Sequence, residues 1–209
     1  MLIAGAGGHA REIIDVFGIL KEENIYLYEN VADSTRSDVL GFKILNNEED
    51  IRQIFKEDPR FVLGVGNPYV RHKMNSALQN FGGKLHSLIS PLASISVYNA
   101  YLGAGINIMS FALISNNVRI DEGALVNCRV NIHHDVIVGQ YCEISPGAVL
   151  LGGAKVGEFS CIGSGAIILP KVTVGKNCVI GAGAVVTTNI PDNSTAVGTP
   201  AKVIKQNNL

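Results

Sequence analysis

Residues 119–150 read RIDEGALVNCRVNIHHDVIVGQYCEISPGAVL, and a single register runs through them. Ile120, Val126, Ile132, Val138, Ile144 and Leu150 fall at every sixth position, and Ala124, Val130, Val136, Cys142 and Ala148, four residues further on, are small or β-branched. Extended both ways, the step of six meets Leu, Ile or Val at fifteen consecutive positions from Leu102 to Val186, with partner positions from Ile106 to Ile190. Helices repeat at about 3.6 residues and strands at 2, so neither produces this spacing. A coil of three short strands does, with one large side chain turned inward per side. Each coil then takes about 18 residues and stacks about 4.8 Å above the last, so fifteen hexads predict a column of five coils about 24 Å long. A β-sandwich would not hold one register over this distance. Cys142 and Cys178 fall on small-residue positions two coils apart. With no CxxC spacing among Cys128, Cys142, Cys161 and Cys178, packing in a reducing compartment fits better than disulfides or zinc.

Upstream of the repeat the composition changes. Residues 1–84 carry 22 of the 35 Asp, Glu, Lys and Arg side chains, and residues 85–209 only 13. The first segment reads as alternating strands and helices: a strand at 1–4, a Gly5-Ala6-Gly7-Gly8 turn, and a helix from His9 to about Lys21 with Ile13, Ile14, Phe17 and Leu20 on one face. A strand at 25–28 follows, then a helix capped by Asn46 or Asn47 with Glu48, Glu49 and Asp50 in its first turn. A third strand at 61–65 leads to Asn67-Pro68, an N-cap and first-turn proline, opening a helix to about Asn80. We therefore expect two domains: an α/β domain over 1–84 with a small Rossmann-like parallel sheet, and a parallel β-helix over 85–209.

The net charge of −1 leaves no cationic excess for nucleic acid. Leu85 to Val118 lacks Asp, Glu, Lys and Arg but is interrupted by Pro91 and four asparagines, so it is not read as a membrane span. Met1 to Gly5 run directly into the glycine turn, which predicts no secretory leader and a cytoplasmic protein.

A regular column has no pocket of its own, so chemistry is expected between columns or at an end, and flat apolar-edged faces favour self-association. The one titratable departure is Ile132-His133-His134-Asp135. A histidine beside a carboxylate serves as a general base near neutral pH. An offset of 18 places Asn116 below His134 and Gly152 above it, and a glycine there leaves space and a backbone N–H for an oxyanion. Two exposed histidines on a polar turn would give the same sequence. The GxGG turn follows a strand and opens a helix, which presents amides to an anion, although its spacing is not a dinucleotide fingerprint and does not predict NAD.

Gly5-Ala6-Gly7-Gly8-His9-Ala10, the hexads, and Val197-Gly198-Thr199-Pro200-Ala201-Lys202 occur in this order. Together they resemble the sialic acid O-acyltransferase family of hexapeptide-repeat enzymes, and within it the bacterial N-acetyltransferases that act on UDP-4-amino sugars. The resemblance spans nearly the whole chain. It implies a left-handed β-helix, a homotrimer with sites between adjacent columns, acetyl-CoA as co-substrate without metal, and a role in surface polysaccharide synthesis. It also implies roles for residues. His134 falls on the base, Asp135 on its acid partner (Glu in the family), Asn127 on an active-site asparagine and Gly152 on the oxyanion glycine. Glu143 stands where relatives have a histidine touching acetyl-CoA. Ser164 and Ala182 match backbone positions along the acetyl-CoA cleft, and Lys202 a contact to its phosphates. Gly7, Gly8 and His9, with Gly66 and Asn67, match the nucleotide loops, and Glu29 and Asn30 stand where relatives grip the base with two aspartates.

Three other readings compete with N-acetylation. One is O-acetylation of a sialic acid or other sugar hydroxyl by the same base. Another is a γ-carbonic-anhydrase-like hydratase, disfavoured because only His133 and His134 lie within the repeat. The third is a nucleotide-sugar binding module without catalysis.

Overall fold

The structure, a computed structural model, describes residues 1–29 and 36–207. It opens with β1 (Leu2–Ala4), α1 (Gly8–Leu20), β2 (Tyr26–Tyr28), β3 (Asp38–Val39), β4 (Phe42–Leu45), α2 (Glu48–Glu57), β5 (Arg60–Leu63), α3 (Pro68–Asn80) and β6 (Lys84–Leu85). The strands form one sheet in the order β3-β4-β2-β1-β5-β6, parallel except for the β3–β4 hairpin. The central strand is buried on both faces, as a parallel sheet under helices requires: Leu2, Ile3 and Ala4 are fully covered. Asn47 caps α2, its Oδ1 accepting the Asp50 N–H at 2.9 Å. The sheet exceeds the three strands expected from sequence. β3 and β4 are joined by a tight Leu40-Gly41 turn, and a two-residue strand is too short to show a period.

From β7 (Leu88–Ile89) to β23 (Val185–Val186) the chain winds through two-residue strands into three parallel ladders, the stacked faces of a left-handed β-helix. The first face carries Leu88–Ile89, Asn107–Ile108, Leu125–Val126, Glu143–Ile144, Cys161–Ile162 and Val179–Ile180. It ends in β24 (Ser194–Gly198) paired with β25 (Ala201–Gln206). The second face runs from Ser94–Ile95 to Val185–Val186, and the third from Tyr101–Leu102 to Thr173–Val174. Every inward hexad residue from Ile108 to Val186 is buried, as is every partner from Ile106 to Ile190, Cys142 and Cys178 included.

The column holds one coil more than the five that the hexads predict, at its start. Leu88 pairs with Asn107 and Ser94 with Leu113, a spacing of 19, and the spacing becomes 18 only where Tyr101 meets Arg119. One extra residue between Ile95 and Tyr101 breaks the step of six and conceals the first coil.

Each corner turns on one left-handed residue, and these too recur every sixth position, from Asn99 through Asn117, Asp135 and Tyr141 to Gly183. Glycine, asparagine and aspartate adopt this conformation at little cost, whereas Phe111, Arg129, Tyr141, Phe159 and Lys171 are strained in it by about 1–2 kcal/mol each. Two of the strained residues dock the first domain. Tyr141 stacks on Phe159, Phe159 on Tyr69, and His72 meets both column rings edge-on.

The first domain lies across the first face of the column. Leu88, Met109 and Leu125 share a core with Ala6, Ala10, Ile13 and Phe17. At the centre of the seam Arg71 is fully buried. Its Nε donates to Gly123 O at 3.0 Å, and its Nη1 to Val65 O at 2.9 Å and Leu63 O at 3.3 Å. Burial lowers its pKa to about 10, so it stays cationic at neutral pH.

Candidate active site

His134 stands at the corner between the second and third faces, with its side chain 61% exposed. Its Nδ1 lies 2.7 Å from Asp135 Oδ2. A carboxylate only accepts, so Nδ1 carries the proton and Nε2 is left as the acceptor. The shorter Asp arm therefore reaches its histidine. Asp135 is itself held by Asn117, whose Nδ2 donates to the other carboxylate oxygen. These bonds, that of His134 first, hold the Asp135 carboxyl below its ordinary range. Asn117 sits one coil below Asp135, and the 18-residue offset that located Asn116 would have found it. The carboxylate also occupies a left-handed corner (φ 63°), which aspartate tolerates better than longer side chains.

Above the ring lies Gly152. A Cβ added there would come within 2.6 Å of His134 Nε2 and Cε1, so only glycine leaves room for the imidazole in this pose. Among the described residues the Gly152 N–H has no hydrogen-bond partner, while Gly153 N–H donates to His134 O.

Asn127 is not brought to this corner. It lies between the first and second faces, mostly buried, with Oδ1 accepting the N–H of Cys128. Ser164 and Ala182 stack at the same corner, Gly183 N–H donating to Ser164 O at 2.9 Å. Each is flanked by glycines, exposed, and has an N–H without a partner among the described residues. Such a strip of bare amides fits an extended ligand rich in amides. Lys202 is exposed on β25.

The second feature is a cavity of about 440 Å³ in the first domain, lined by Gly5, Ala6, Gly7, Gly8, His9, Tyr28, Glu29, Gly64, Val65 and Gly66, with Val70, Lys73, Met74 and Ala77 from α3. Gly5 is left-handed (φ 128°), and a Cβ there would strike Gly64 O at 2.7 Å, so the loop requires glycine. Lys73, on which the sequence carries no motif, adds a basic side chain to the lining. His9 is buried. Its Nε2 accepts from Asn107 Nδ2 and its Nδ1 donates to Glu12 Oε2, both at 3.2 Å, and desolvation lowers its pKa, so the ring is neutral. Glu29 is buried and paired with Arg36, whose Nη1 also donates to Ala6 O. Asn30 lies outside the described residues. Asn67 does not line the cavity; its Oδ1 caps α3, accepting from Tyr69 and Val70 N–H at 3.1 Å. Glu143 projects from the first face toward the same domain, against Gly66.

Cavity and imidazole lie on opposite sides of one chain. The first domain covers the first face, and His134 stands at the corner opposite it. Among the described residues no group of three or more His, Cys, Asp or Glu is arranged to hold a metal ion.

A three-sided hexapeptide column joined to a glycine-loop α/β domain defines an acyltransferase of the hexapeptide-repeat class. The chain belongs, within that class, to the family that carries a PglD-type amino-terminal domain. Residues 1–78 match the PglD N-terminal domain, and residues 153–188 match the bacterial transferase hexapeptide (six repeats). It is similar to PerB from Caulobacter crescentus, solved with CoA and GDP-perosamine (30% identity, 98% of this chain and 96% of that one, TM-score 0.88). It is also similar to the acetyltransferase domain of PglB from Neisseria gonorrhoeae, solved with acetyl coenzyme A (32% identity, 97% and 98%, TM-score 0.89). WeeI from Acinetobacter baumannii aligns at 25% identity over 97% of this chain and 98% of that one, with a TM-score of 0.86.

Proposed function

We propose that this chain transfers an acetyl group from acetyl-CoA to the amino group of a nucleotide-linked amino sugar, with His134 as general base. The observation that carries the reading is the orientation of His134: Nδ1–H is held by Asp135, and Nε2 lies free over Gly152. The thioester supplies an activated acyl group. His134 Nε2 takes a proton from the attacking amine as the C–N bond forms, and Asp135, fixed by Asn117, stabilises the imidazolium. When the C–S bond breaks, the departing CoA sulfur takes up that proton and leaves as the thiol. The Gly152 N–H donates to the negative charge that develops on the acyl oxygen, a contribution of about 3 kcal/mol for such donors. Ser164 and Ala182 would present amides to acetyl-CoA, and the Gly7–His9 loop with Lys73 would hold the diphosphate of the acceptor. Complexes of PerB with CoA and GDP-perosamine, and of the PglB domain with acetyl coenzyme A, support the pairing of substrates.

Since cavity and imidazole face away from each other in one chain, a complete site needs the His134 corner of a second copy. A homotrimer, with each copy contributing both halves to different sites, satisfies this for all three. A cytoplasmic setting fits the four free cysteines, Cys128, Cys142, Cys161 and Cys178.

The test offers acetyl-CoA with UDP-, GDP- and dTDP-linked 4-amino sugars, and separately a free sialic acid, and follows thiol release. Release with an amino sugar nucleotide is expected. Release with the sialic acid alone favours O-acetylation, and tight nucleotide-sugar binding without release favours a binding module.

Gly152→Ala separates the oxyanion corner from the fold. Its methyl group displaces the imidazole and crowds the free amide, so kcat should fall about 10- to 100-fold with thermal stability unchanged, measured by steady-state kinetics and calorimetry. Full activity would remove Gly152 from the mechanism.

A further inference from the structure

Glu143 is a half-buried carboxylate with no ion-pair partner among the described residues. Other covered acidic side chains have strong partners: Glu29 has Arg36, and Glu122 accepts from the Tyr141 hydroxyl at 2.9 Å. Glu143 has, among the described residues, only a long contact from Ser145 Oγ (3.4 Å) and one from Cys161 Sγ (3.9 Å), with no Lys, Arg or His within ion-pair distance. Its oxygens lie against Gly66, where a Cβ would come within 3.3 Å of Oε1. Gly66 lines the cavity, so the carboxylate stands just beyond the cavity wall, and the missing side chain at 66 keeps the approach open. Its charge also reaches His9 and Arg71 across the seam. An under-coordinated carboxylate in such a place is costly unless a positive group completes it.

We propose that Glu143 receives the amino group of the acceptor sugar as it emerges from the cavity past Gly66, and so sets the preference for amine over hydroxyl acceptors. The inference rests on the acceptor assigned above. It moves Glu143 from the acetyl-CoA side of the site, where the family resemblance placed it, to the acceptor side. The geometry agrees, because Ser164 and Ala182 line a corner while Glu143 faces the first domain.

The test is calorimetric titration of the wild type and Glu143→Gln with three probes: a nucleoside diphosphate 4-amino sugar, its 4-hydroxy counterpart and the bare nucleoside diphosphate. The wild type should bind the amine at least about tenfold more tightly than the hydroxyl compound, and Glu143→Gln should remove that ratio. Affinity for the bare nucleotide and for acetyl-CoA should not change. An unaltered ratio in a wild-type background that does N-acetylate the sugar overturns the role of Glu143 alone, as does weakened acetyl-CoA binding with the ratio intact. A wild-type chain that acetylates no amino sugar nucleotide overturns the acceptor assignment itself.

Discussion

Replacing His134 by alanine is expected to lower kcat by about 10³- to 10⁴-fold, the upper range for a positioned general base, while acetyl-CoA affinity and assembly size stay as in the wild type. The separation follows from where the ring sits. It is 61% exposed at a corner and contributes nothing to the aliphatic interior, since the inward residue beside it is Ile132. The backbone of position 134 stays in the ladder through the Gly153 N–H to His134 O bond, which alanine preserves. Steady-state kinetics, titration of acetyl-CoA and sedimentation of the same preparation make the comparison. Retained turnover would end the assignment of the base. Lost turnover with a changed assembly size would make the residue structural instead.

The second large effect is on stability. Arg71→Met removes the donor that joins Leu63 O and Val65 O of the first domain to Gly123 O of the column. Leu63 O keeps its bond from Asn107 Nδ2 at 2.7 Å, but Val65 O and Gly123 O are left unpaired, at about 1–3 kcal/mol each, offset in part because the arginine charge no longer has to be desolvated. A net loss of about 3 kcal/mol corresponds, for a chain of this size, to a fall in Tm of about 6–12 °C. Calorimetry at fixed protein concentration reads it, and a Tm within a degree of wild type would mean that the seam holds without this residue.

The column was legible in the sequence because one constraint, an inward aliphatic residue every sixth position, acts at every coil, and nothing local competes with it from Leu102 to Val186. The constraint fails where one extra residue enters between Ile95 and Tyr101, and there the reading lost a coil. The left-handed corners were not legible: Phe111, Arg129, Tyr141, Phe159 and Lys171 carry no signal for that conformation, which the stacking imposes on them. Helix ends were readable from chemistry, as Asn47 and Asn67 show, but the cap at Asn67 also means that its side chain is already engaged. Arg71 was missed because an arginine on a short amphipathic helix reads as surface. Its burial arises only once the column is laid against α3, a contact between segments about fifty residues apart. Glu143 is singled out by the family resemblance alone, and what the structure adds is the glycine that faces it.

The opposition of the His134 corner to the face that bears the first domain has a genetic consequence in the proposed trimer. A chain without the imidazole and a chain with a ruined nucleotide loop are each inactive alone, yet in hybrid particles an intact loop from one meets an intact imidazole from the other. Such pairs of alleles should complement each other, and a defect in either half would then be recessive in cells that make both.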